Sequence, residues 1–344
     1  MLRRLFSRSA AILVLALPAS CSESSSSSDA GGSGGQDAGQ SGGGSGGAPT
    51  GGSGGDTSGG EGGSAGSSEC PGTSEPVPLG MLAVPGLSEA SGIAASRTSA
   101  GVLFTHNDSG HPAEVYAVTE DGAHVATLAF TGALAHDWED IAIGPGPDGA
   151  DYLYVADIGD DPDEPWRETV VVERALEPEL ASTDRSRGIT LDFDSIYLSY
   201  PDGPHNAETL FVDPTTSDLY IVTKAPESAA VYVAHAPLPL DRVSPLELVT
   251  GISFLVDGAQ TGLATGGDLS PDGRLVALRT ETAAFLWRRS EGTDFSVTFA
   301  EAPCAVPVAR EFQGEAIGFA LDSASYFTVG EGDTPELFRV ELER

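Results

Sequence analysis

After residue 90, apolar and polar residues alternate in short segments, and Gly, Asp or Pro ends nearly every segment. Alternation with a period of two is typical of half-buried β-strands. The predicted strands form groups of four: 91–96, 102–106, 114–119 and 123–130; 139–144, 152–157, 168–174 and 193–200; 208–213, 219–224, 230–235 and 246–254; 264–270, 274–280, 283–289 and 294–300. A last group has only three, at 315–320, 325–330 and 336–342. The pattern predicts an all-β domain without convincing amphipathic helices.

The first strand of each group repeats a short pattern, in which a carboxylate is followed by apolar residues and a turn. The residues at this marker position are Glu89, Glu139, Glu208, Thr265 and Glu315. Groups of four strands that share a marker predict a β-propeller, here with five blades by count. The interval from Glu139 to Glu208 is the longest and leaves room for a sixth blade around residues 185–202. A pair of β-sandwiches is the alternative fold.

The group that is one strand short predicts how the ring closes. Residues 76–85 can supply a strand, so the first and last parts of the domain would complete one blade together. That closure would bring Cys70 near the connection that carries Cys304. In an oxidising compartment these two cysteines are candidates for a disulfide, and two unpaired thiols are the alternative.

The N-terminus has the features of an export signal. Arg3, Arg4 and Arg8 precede an apolar run at 10–17, which is too short to span a bilayer. The sequence Pro18-Ala19-Ser20-Cys21 resembles the lipobox of bacterial lipoproteins, in which the cysteine is lipidated. We therefore expect a signal peptide over residues 1–21, with lipidated Cys21, and an exported, membrane-anchored protein that faces the periplasm or the cell surface. Ordinary cleavage without lipid is the alternative.

Residues 22–70 consist mainly of Gly and Ser, with almost no apolar side chain. Such a segment cannot bury enough surface to offset the entropy lost on ordering, so it predicts a disordered tether. The propeller domain is expected over 71–344. The chain has 51 acidic and 17 basic residues. A protein this acidic repels nucleic acid and anionic lipid, so membrane contact is expected only through the lipid anchor. We expect a monomer whose ligand, a small molecule or a protein, is not specified.

In a propeller the first strand of each blade lines the central channel, so the five marker residues should form a ring. A second polar set recurs at the end of the second strand: His106, Asn107, Asp108, Asp157, Lys224, Arg279 and Glu331. Clustered carboxylates raise one another's pKa, so the ring needs a cation, protons or basic partners. Lys224 and Arg279 stand where they could neutralise part of it.

Three interpretations of the ring remain open. It is a structural network, a site for a divalent cation such as Ca²⁺, whose preferred ligands are oxygens, or a substrate site with Glu139, Glu208 and Glu315 as catalytic candidates. Asp157, Asp160, Asp161 and Asp163 lie in an acidic turn that is a second Ca²⁺ candidate, with a solvated turn as the alternative. The sequence lacks a Gly-x-Ser-x-Gly motif and zinc-ligand spacing, which disfavours a serine hydrolase and a zinc enzyme.

Several motifs over about residues 80–340 resemble those of uncharacterised exported bacterial β-propeller proteins. They are His106-Asn107-Asp108-Ser109-Gly110, Asp137-Trp138-Glu139-Asp140-Ile141-Ala142, Leu153-Tyr154-Val155-Ala156-Asp157-Ile158-Gly159-Asp160, Asn206-Ala207-Glu208, Tyr220-Ile221-Val222-Thr223-Lys224, Asp268-Leu269-Ser270-Pro271-Asp272-Gly273, Leu278-Arg279-Thr280 and Gln313-Gly314-Glu315-Ala316-Ile317. The resemblance implies the fold and export, and this family has no settled activity. A fainter similarity to phytase-like and esterase-like propellers implies Ca²⁺ on acidic residues, but the basic residues that would grip a phosphate are scarce here.

The sequence thus predicts a cell-envelope lipoprotein with a β-propeller binding or scaffolding module of unspecified ligand, and Ca²⁺ in the channel is one of the open interpretations. The alternative is a metal-assisted hydrolase, either a phosphoesterase or a glycosidase, that uses the channel carboxylates.

Overall fold

The computed structural model describes residues 70–160, 167–226, 228–256 and 258–343. The predicted lipidation site, the tether up to residue 69, Asp161 and Asp163 lie outside these ranges. The described chain forms a five-bladed β-propeller. Among the described residues, no helix has the length and apolarity needed to cross a membrane.

Each blade is an antiparallel sheet whose first strand is called the inner strand below. The four strands of blade 1 are Ala90–Ala95, Val102–Asn107, Glu114–Thr119 and His124–Ala129. Those of blade 2 are Trp138–Pro145, Asp151–Asp157, Val170–Leu176 and Phe193–Ser199. Those of blade 3 are Ala207–Val212, Leu219–Thr223, Ala229–Ala234 and Glu247–Ile252. Those of blade 4 are Ala264–Leu269, Leu275–Thr280, Ala284–Arg288 and Cys304–Val306.

Blade 5 closes the ring as predicted. Its strands Gly314–Phe319, Ser325–Gly330 and Glu336–Glu343 come from the end of the chain, and Val77–Met81 and Gly72–Thr73 pair with Glu336–Glu343. Each inner strand contacts the inner strands of both neighbouring blades, including that of blade 5 against that of blade 1. The five inner strands therefore surround one central channel.

The hydrophobic core is divided among the interfaces between blades. Five clusters of buried apolar side chains are present, and each joins residues from two neighbouring blades. Trp138, for example, is 2% exposed and packs edge-on against Phe130. Since burying apolar area is the main favourable term in folding, these five interfaces fix the position of the blades and of the channel.

The long interval between Glu139 and Glu208 does not contain a sixth blade. Residues Arg187–Thr190 instead add a parallel strand to the outer edge of blade 1, and Phe193–Ser199 completes blade 2. Ser244–Pro245 adds a short parallel strand to blade 2, and a small hairpin joins Leu255–Val256 to Ala259–Gln260.

The strand predicted at 294–300 is wrong. These residues form the helix Phe295–Ala300, and Cys304–Val306 is the outer strand of blade 4. The Asp294 side chain accepts a hydrogen bond from the backbone N–H of Ser296 and so caps the helix. Phe295 and Phe299 are four residues apart and both bury their rings, a spacing that suits one face of a helix. The alternation of Phe295, Val297 and Phe299 with polar residues had predicted a strand.

The predicted disulfide is confirmed. Cys70 and Cys304 are bonded, with a sulfur–sulfur distance of 2.04 Å. Cys70 immediately precedes the closing strands of blade 5, and Cys304 begins the outer strand of blade 4. The covalent link therefore fastens the N-terminal edge of the closing blade to its neighbour.

Candidate functional site at the mouth of the channel

Every inner strand contains a β-bulge near its beginning, where one extra residue interrupts the pairing with the second strand. The residues at the bulges are Ser91 with Gly92, Glu139, Glu208, Thr265 and Glu315. A bulge changes the direction of a side chain and is common next to binding sites. The recurring marker in the sequence is thus the bulge residue in blades 2 to 5, and blade 1 has Ser91 at this place.

Glu89 lies one residue before the inner strand of blade 1 and is not at the bulge. Its side chain is 46% exposed and pairs with the His111 imidazole at 2.8 Å. The hydroxyls of Ser91 and Thr265 donate to the backbone carbonyls of Glu139 and Gly314, at 2.6 and 2.9 Å. Two bulges therefore tie neighbouring blades together through hydroxyl groups, and the other three supply carboxyl groups.

Glu139 and Glu208 are buried and lie against each other. The Lys224 ammonium contacts Glu208 Oε1 at 2.8 Å, and the charges of the two carboxyl groups act on each other. Burial raises the pKa of Glu208 to about 7, although Lys224 opposes the shift. Burial and the Glu208 charge also place the pKa of Glu139 well above its usual range. Both shifts oppose full ionisation of the pair at neutral pH.

Glu315, on the inner strand of blade 5, interacts with the charges of Glu208 and Lys224. Burial and the Glu208 charge raise its pKa to about 8, while Lys224 acts in the opposite direction. Burial lowers the pKa of Lys224, but Glu208, Glu315 and Glu139 together outweigh it and leave that pKa raised. The Lys224 ammonium thus interacts electrostatically with three buried carboxyl groups, which come from blades 2, 3 and 5.

Glu139 also belongs to a second carboxylate group. Asp108, Asp137 and Glu139 each offer an oxygen, and these three oxygens lie within 4.8 Å of one another. Burial and the Asp108 charge raise the pKa of Asp137 to about 6. Burial also raises the pKa of Asp108, and the Glu89 charge acts in the same direction. We call these three residues the carboxylate triad.

Gly159 makes room for the triad. A Cβ atom at this position would collide with Glu139 Oε1 and Asp137 Oδ2. The absence of a side chain lets the loop after the second strand of blade 2 pass directly beside the two carboxyl groups. The sequence analysis missed this role, because a glycine in an acidic turn gives no sign of what faces it.

Asp157, which was predicted both as a rim residue and as a Ca²⁺ ligand, orders the loop that leads into the inner strand of blade 2. Its two oxygens accept hydrogen bonds from the backbone N–H groups of His136 and Asp137, at 2.8 and 3.1 Å. Arg167 also pairs with it at 2.6 Å. The backbone N–H of Arg167 donates to Asp160 at 2.7 Å. These two aspartates therefore already have protein partners.

Asn107 has the corresponding place in blade 1. Its Oδ1 accepts from the backbone N–H groups of Ser88 and Glu89, at 2.9 and 3.0 Å, and its Nδ2 donates to the Gly86 carbonyl at 2.8 Å. His106, the preceding residue, is fully buried, and its ring meets Trp138 edge-on. Burial lowers the pKa of His106 to about 4, so this imidazole is a neutral packing residue at physiological pH.

Arg279 joins blades 4 and 5. It is fully buried and pairs with Glu311 at 2.8 Å, and it donates to the Ala316 carbonyl at 2.9 Å. The Arg279 charge acts to lower the pKa of Glu315, but the direct partner of Arg279 is Glu311. The role of Glu311 was not predicted from the sequence. The side chain of Glu331, the remaining rim residue, has a raised pKa because of partial burial and the charges of Asp108 and Glu89.

Two further buried carboxyl groups lie deeper on the inner strands. Asp140 accepts a hydrogen bond from the backbone N–H of Leu210 in blade 3, and Asp268 accepts one from Phe319 in blade 5. Burial raises the pKa of Asp268 to about 7. These residues connect inner strands across blade interfaces. Their signal in the sequence was an acidic residue inside an otherwise apolar strand.

No protein-family model matches this chain, and a search of curated proteins finds no match either.

Proposed function

We propose that the protein is an exported β-propeller binding module, anchored by lipid at Cys21 and held on its Gly/Ser tether, that binds Ca²⁺ at the channel mouth. The observation that carries the proposal is the carboxylate triad. Its three oxygens, contributed by Asp108, Asp137 and Glu139, are close enough to share one ion. Carboxylate oxygens are the ligands that Ca²⁺ prefers, and Ca²⁺ takes six to eight of them.

Three protein oxygens leave coordination positions for water or for an oxygen of a bound partner. An ion held in this way would serve as the contact between the propeller and its ligand, which is the scaffolding role that we assign to the module. The charges favour a cation as well. The charges of Glu208, Asp108 and Asp137 all act on Glu139, and Lys224, which opposes them, is already paired with Glu208.

The geometry gives no comparable support to a glycosidase. In such enzymes the two carboxyl groups stand about 5 Å or more apart, so that the glycosidic bond fits between them. Glu208 is instead already paired with the Lys224 ammonium at 2.8 Å, and both Glu139 and Glu208 are buried. We therefore place the binding function first.

Thermal unfolding of the purified protein tests the proposal. A ligand that binds only the folded state stabilises it by about 2.7 kcal/mol at a hundredfold excess over its Kd. Against protein in EDTA, we expect Ca²⁺ to raise Tm by several degrees, and we expect Asp137→Asn to remove most of that rise. Asp192→Asn is the matched control, because Asp192 is exposed and is not part of the triad. That variant should respond to Ca²⁺ like the wild type.

Equal Tm values in EDTA and Ca²⁺ would contradict a Ca²⁺ site. A panel of phosphoester and glycoside substrates belongs in the same experiment, since turnover that is lost in Asp137→Asn would favour the hydrolase. Metabolic labelling with palmitate tests the anchor separately. The label should enter the wild type and be absent from Cys21→Ser.

A further inference from the structure

A groove of about 690 Å³ lies at the junction of blades 5 and 1. One wall is the segment 83–88, which connects the closing strand to the inner strand of blade 1. The opposite walls come from residues 111–116 of blade 1 and from residues 333–334 of blade 5. Because the segment 83–88 follows the closing strand, this groove exists only when the ring is closed.

The lining of the groove is apolar with acidic groups. The exposed residues Ala83, Pro85 and Pro112 supply the apolar part, with the buried Val84 and Leu87 behind them, and Glu114 and Asp333 supply carboxyl groups. No lysine or arginine is among its lining residues. The imidazole of His111 is the only basic group there, and it is paired with the Glu89 carboxylate at 2.8 Å. The electrostatic potential of the groove is therefore negative.

The walls are held in place before any ligand arrives. Asn107 fixes the segment 83–88 through its hydrogen bonds with Gly86, Ser88 and Glu89. The backbone N–H of Gly332 donates to the Ser88 carbonyl at 2.8 Å, which ties the wall from blade 5 to the same segment. Binding to such a groove would cost little ordering of the protein, which favours affinity.

The Glu114 carboxylate in the lining of the groove also has a defined position. The Tyr116 hydroxyl donates to Glu114 Oε2 at 3.3 Å. Burial, together with the neighbouring Glu114 charge, raises the pKa of Tyr116 to about 12, so it remains a neutral donor at physiological pH. A fixed carboxylate beside an apolar surface is suited to an ammonium or guanidinium group whose aliphatic stem lies on that surface.

We propose that this groove binds a segment of a partner protein in which a lysine or arginine stands beside an apolar residue. The groove is open to solvent, whereas pockets for small molecules enclose most of their ligand, and an open groove accommodates an extended chain. The basic side chain pairs with Glu114 or Asp333, and the apolar residue contacts Ala83, Pro85 and Pro112. This function does not depend on the carboxylate triad or on Ca²⁺.

Selection from a random heptapeptide phage library tests the proposal. The purified protein is the target, in EDTA and at low salt, so that the Ca²⁺ site plays no part. Enriched peptides should contain Lys or Arg next to Leu, Ile, Val or Phe. A synthetic peptide from the selection should bind the Glu114→Gln/Asp333→Asn double variant at least about tenfold more weakly than the wild type, because the complementary charges have gone.

The matched control is Asp192→Asn/Glu291→Gln, which removes the same charge at two exposed positions outside the groove. It should bind the peptide like the wild type, and so should Asp137→Asn, which separates this proposal from the Ca²⁺ site. Equal weakening by both double variants would show general attraction to an acidic surface and would overturn the proposal. Enrichment of peptides without basic residues would also overturn the proposal. A dimer in solution that the groove double variant dissociates would overturn it as well, because the groove would then bind a second copy of the chain.

Discussion

At the scale of single residues, the protonation of Glu315 links the channel to the stability of the fold. Glu315 is 8% exposed, and burial and the Glu208 charge raise its pKa to about 8. An unfolded chain would ionise the same group at its ordinary value near 4.5. Between those two pH values the folded state holds a proton that the unfolded state has released. The contribution of Glu315 to stability is therefore full below about pH 4.5 and is lost as the pH rises towards 8.

We predict that the free energy of unfolding, measured with urea in EDTA, falls between pH 5 and pH 8. One such carboxyl changes it by at most about 1.4 kcal/mol per pH unit. Glu315→Gln carries no titrating proton, so its stability relative to the wild type should improve steadily as the pH rises. In the exposed control Glu291→Gln, the curve should stay parallel to that of the wild type. A parallel curve for Glu315→Gln would refute the assigned protonation.

The same pKa directions make cation binding depend on pH. Asp137, with a pKa raised to about 6, must lose its proton before both of its oxygens can bind a metal. Ca²⁺ should therefore stabilise the protein more at pH 8 than at pH 5. Bound Ca²⁺ would therefore stabilise the fold near pH 8, where the ionised carboxylates otherwise destabilise it.

At the scale of elements, the carboxylate triad depends on how closely one loop passes beside one bulge. Gly159 follows the second strand of blade 2, and the bulge at Glu139 presents its carboxyl to that loop. Every non-hydrogen atom added at Gly159 must enter the space between Glu139 and Asp137. Overpacking of this kind typically costs about 1–3 kcal/mol.

We predict that Gly159→Ala lowers the free energy of unfolding by about 1–3 kcal/mol and reduces the Tm rise caused by Ca²⁺. The matched control is Gly188→Ala, since a Cβ there meets no atom within 4 Å and Gly188 is not among the glycines with positive φ. That control should change stability by less than about 0.5 kcal/mol. If both substitutions behave alike, the close approach of Gly159 to the triad has no energetic consequence.

The sequence predicted the elements well wherever two-residue alternation and a turn coincide. The inner strands, the closing strand near residues 76–85 and the five blades all follow from that pattern. It failed at Phe295–Ala300, where residues 295, 297 and 299 suit a strand but the Asp294 cap and the two Phe rings select a helix. It also missed Arg187–Thr190, because a parallel strand added from a distant loop leaves no periodic signal of its own.

The candidate site was only partly predictable. Glu139, Glu208 and Glu315 were predicted because the bulge residue recurs at the same place in each blade, and this recurrence can be read from the sequence. Glu89 was placed in the ring because its spacing imitates the marker, whereas the register puts Ser91 at the bulge of blade 1. The roles of Gly159 and Glu311 depend on distances between segments far apart in the chain, which no spacing rule supplies.

At the scale of the whole molecule, ring closure is the feature on which the groove between blades 5 and 1 depends. The closing strands come from residues just after the predicted tether, so any pull on the tether would act on the edge of blade 5. The Cys70–Cys304 disulfide links positions 234 residues apart and attaches this edge to blade 4. Cross-links of long loops typically stabilise a fold by about 2–4 kcal/mol.

We predict that Cys70→Ser/Cys304→Ser lowers the free energy of unfolding by about 2–5 kcal/mol. Hydrogen exchange should show where the loss is greatest. Amide protection should fall most in Val77–Met81, which pairs with Glu336–Glu343, and least in the inner strands of blades 2 and 3, which the closure does not touch. Equal loss of protection throughout the domain would mean that the disulfide does not specifically hold the closing strand.

The most direct test of the central claim is to locate bound Ca²⁺ in crystals of the protein by anomalous scattering. Our account predicts a peak within coordination distance, about 2.3–2.6 Å, of oxygens from Asp108, Asp137 and Glu139, and no such peak in crystals of Asp137→Asn. Crystals grown in Ca²⁺ that show no peak at the triad, or only a peak elsewhere, would contradict it.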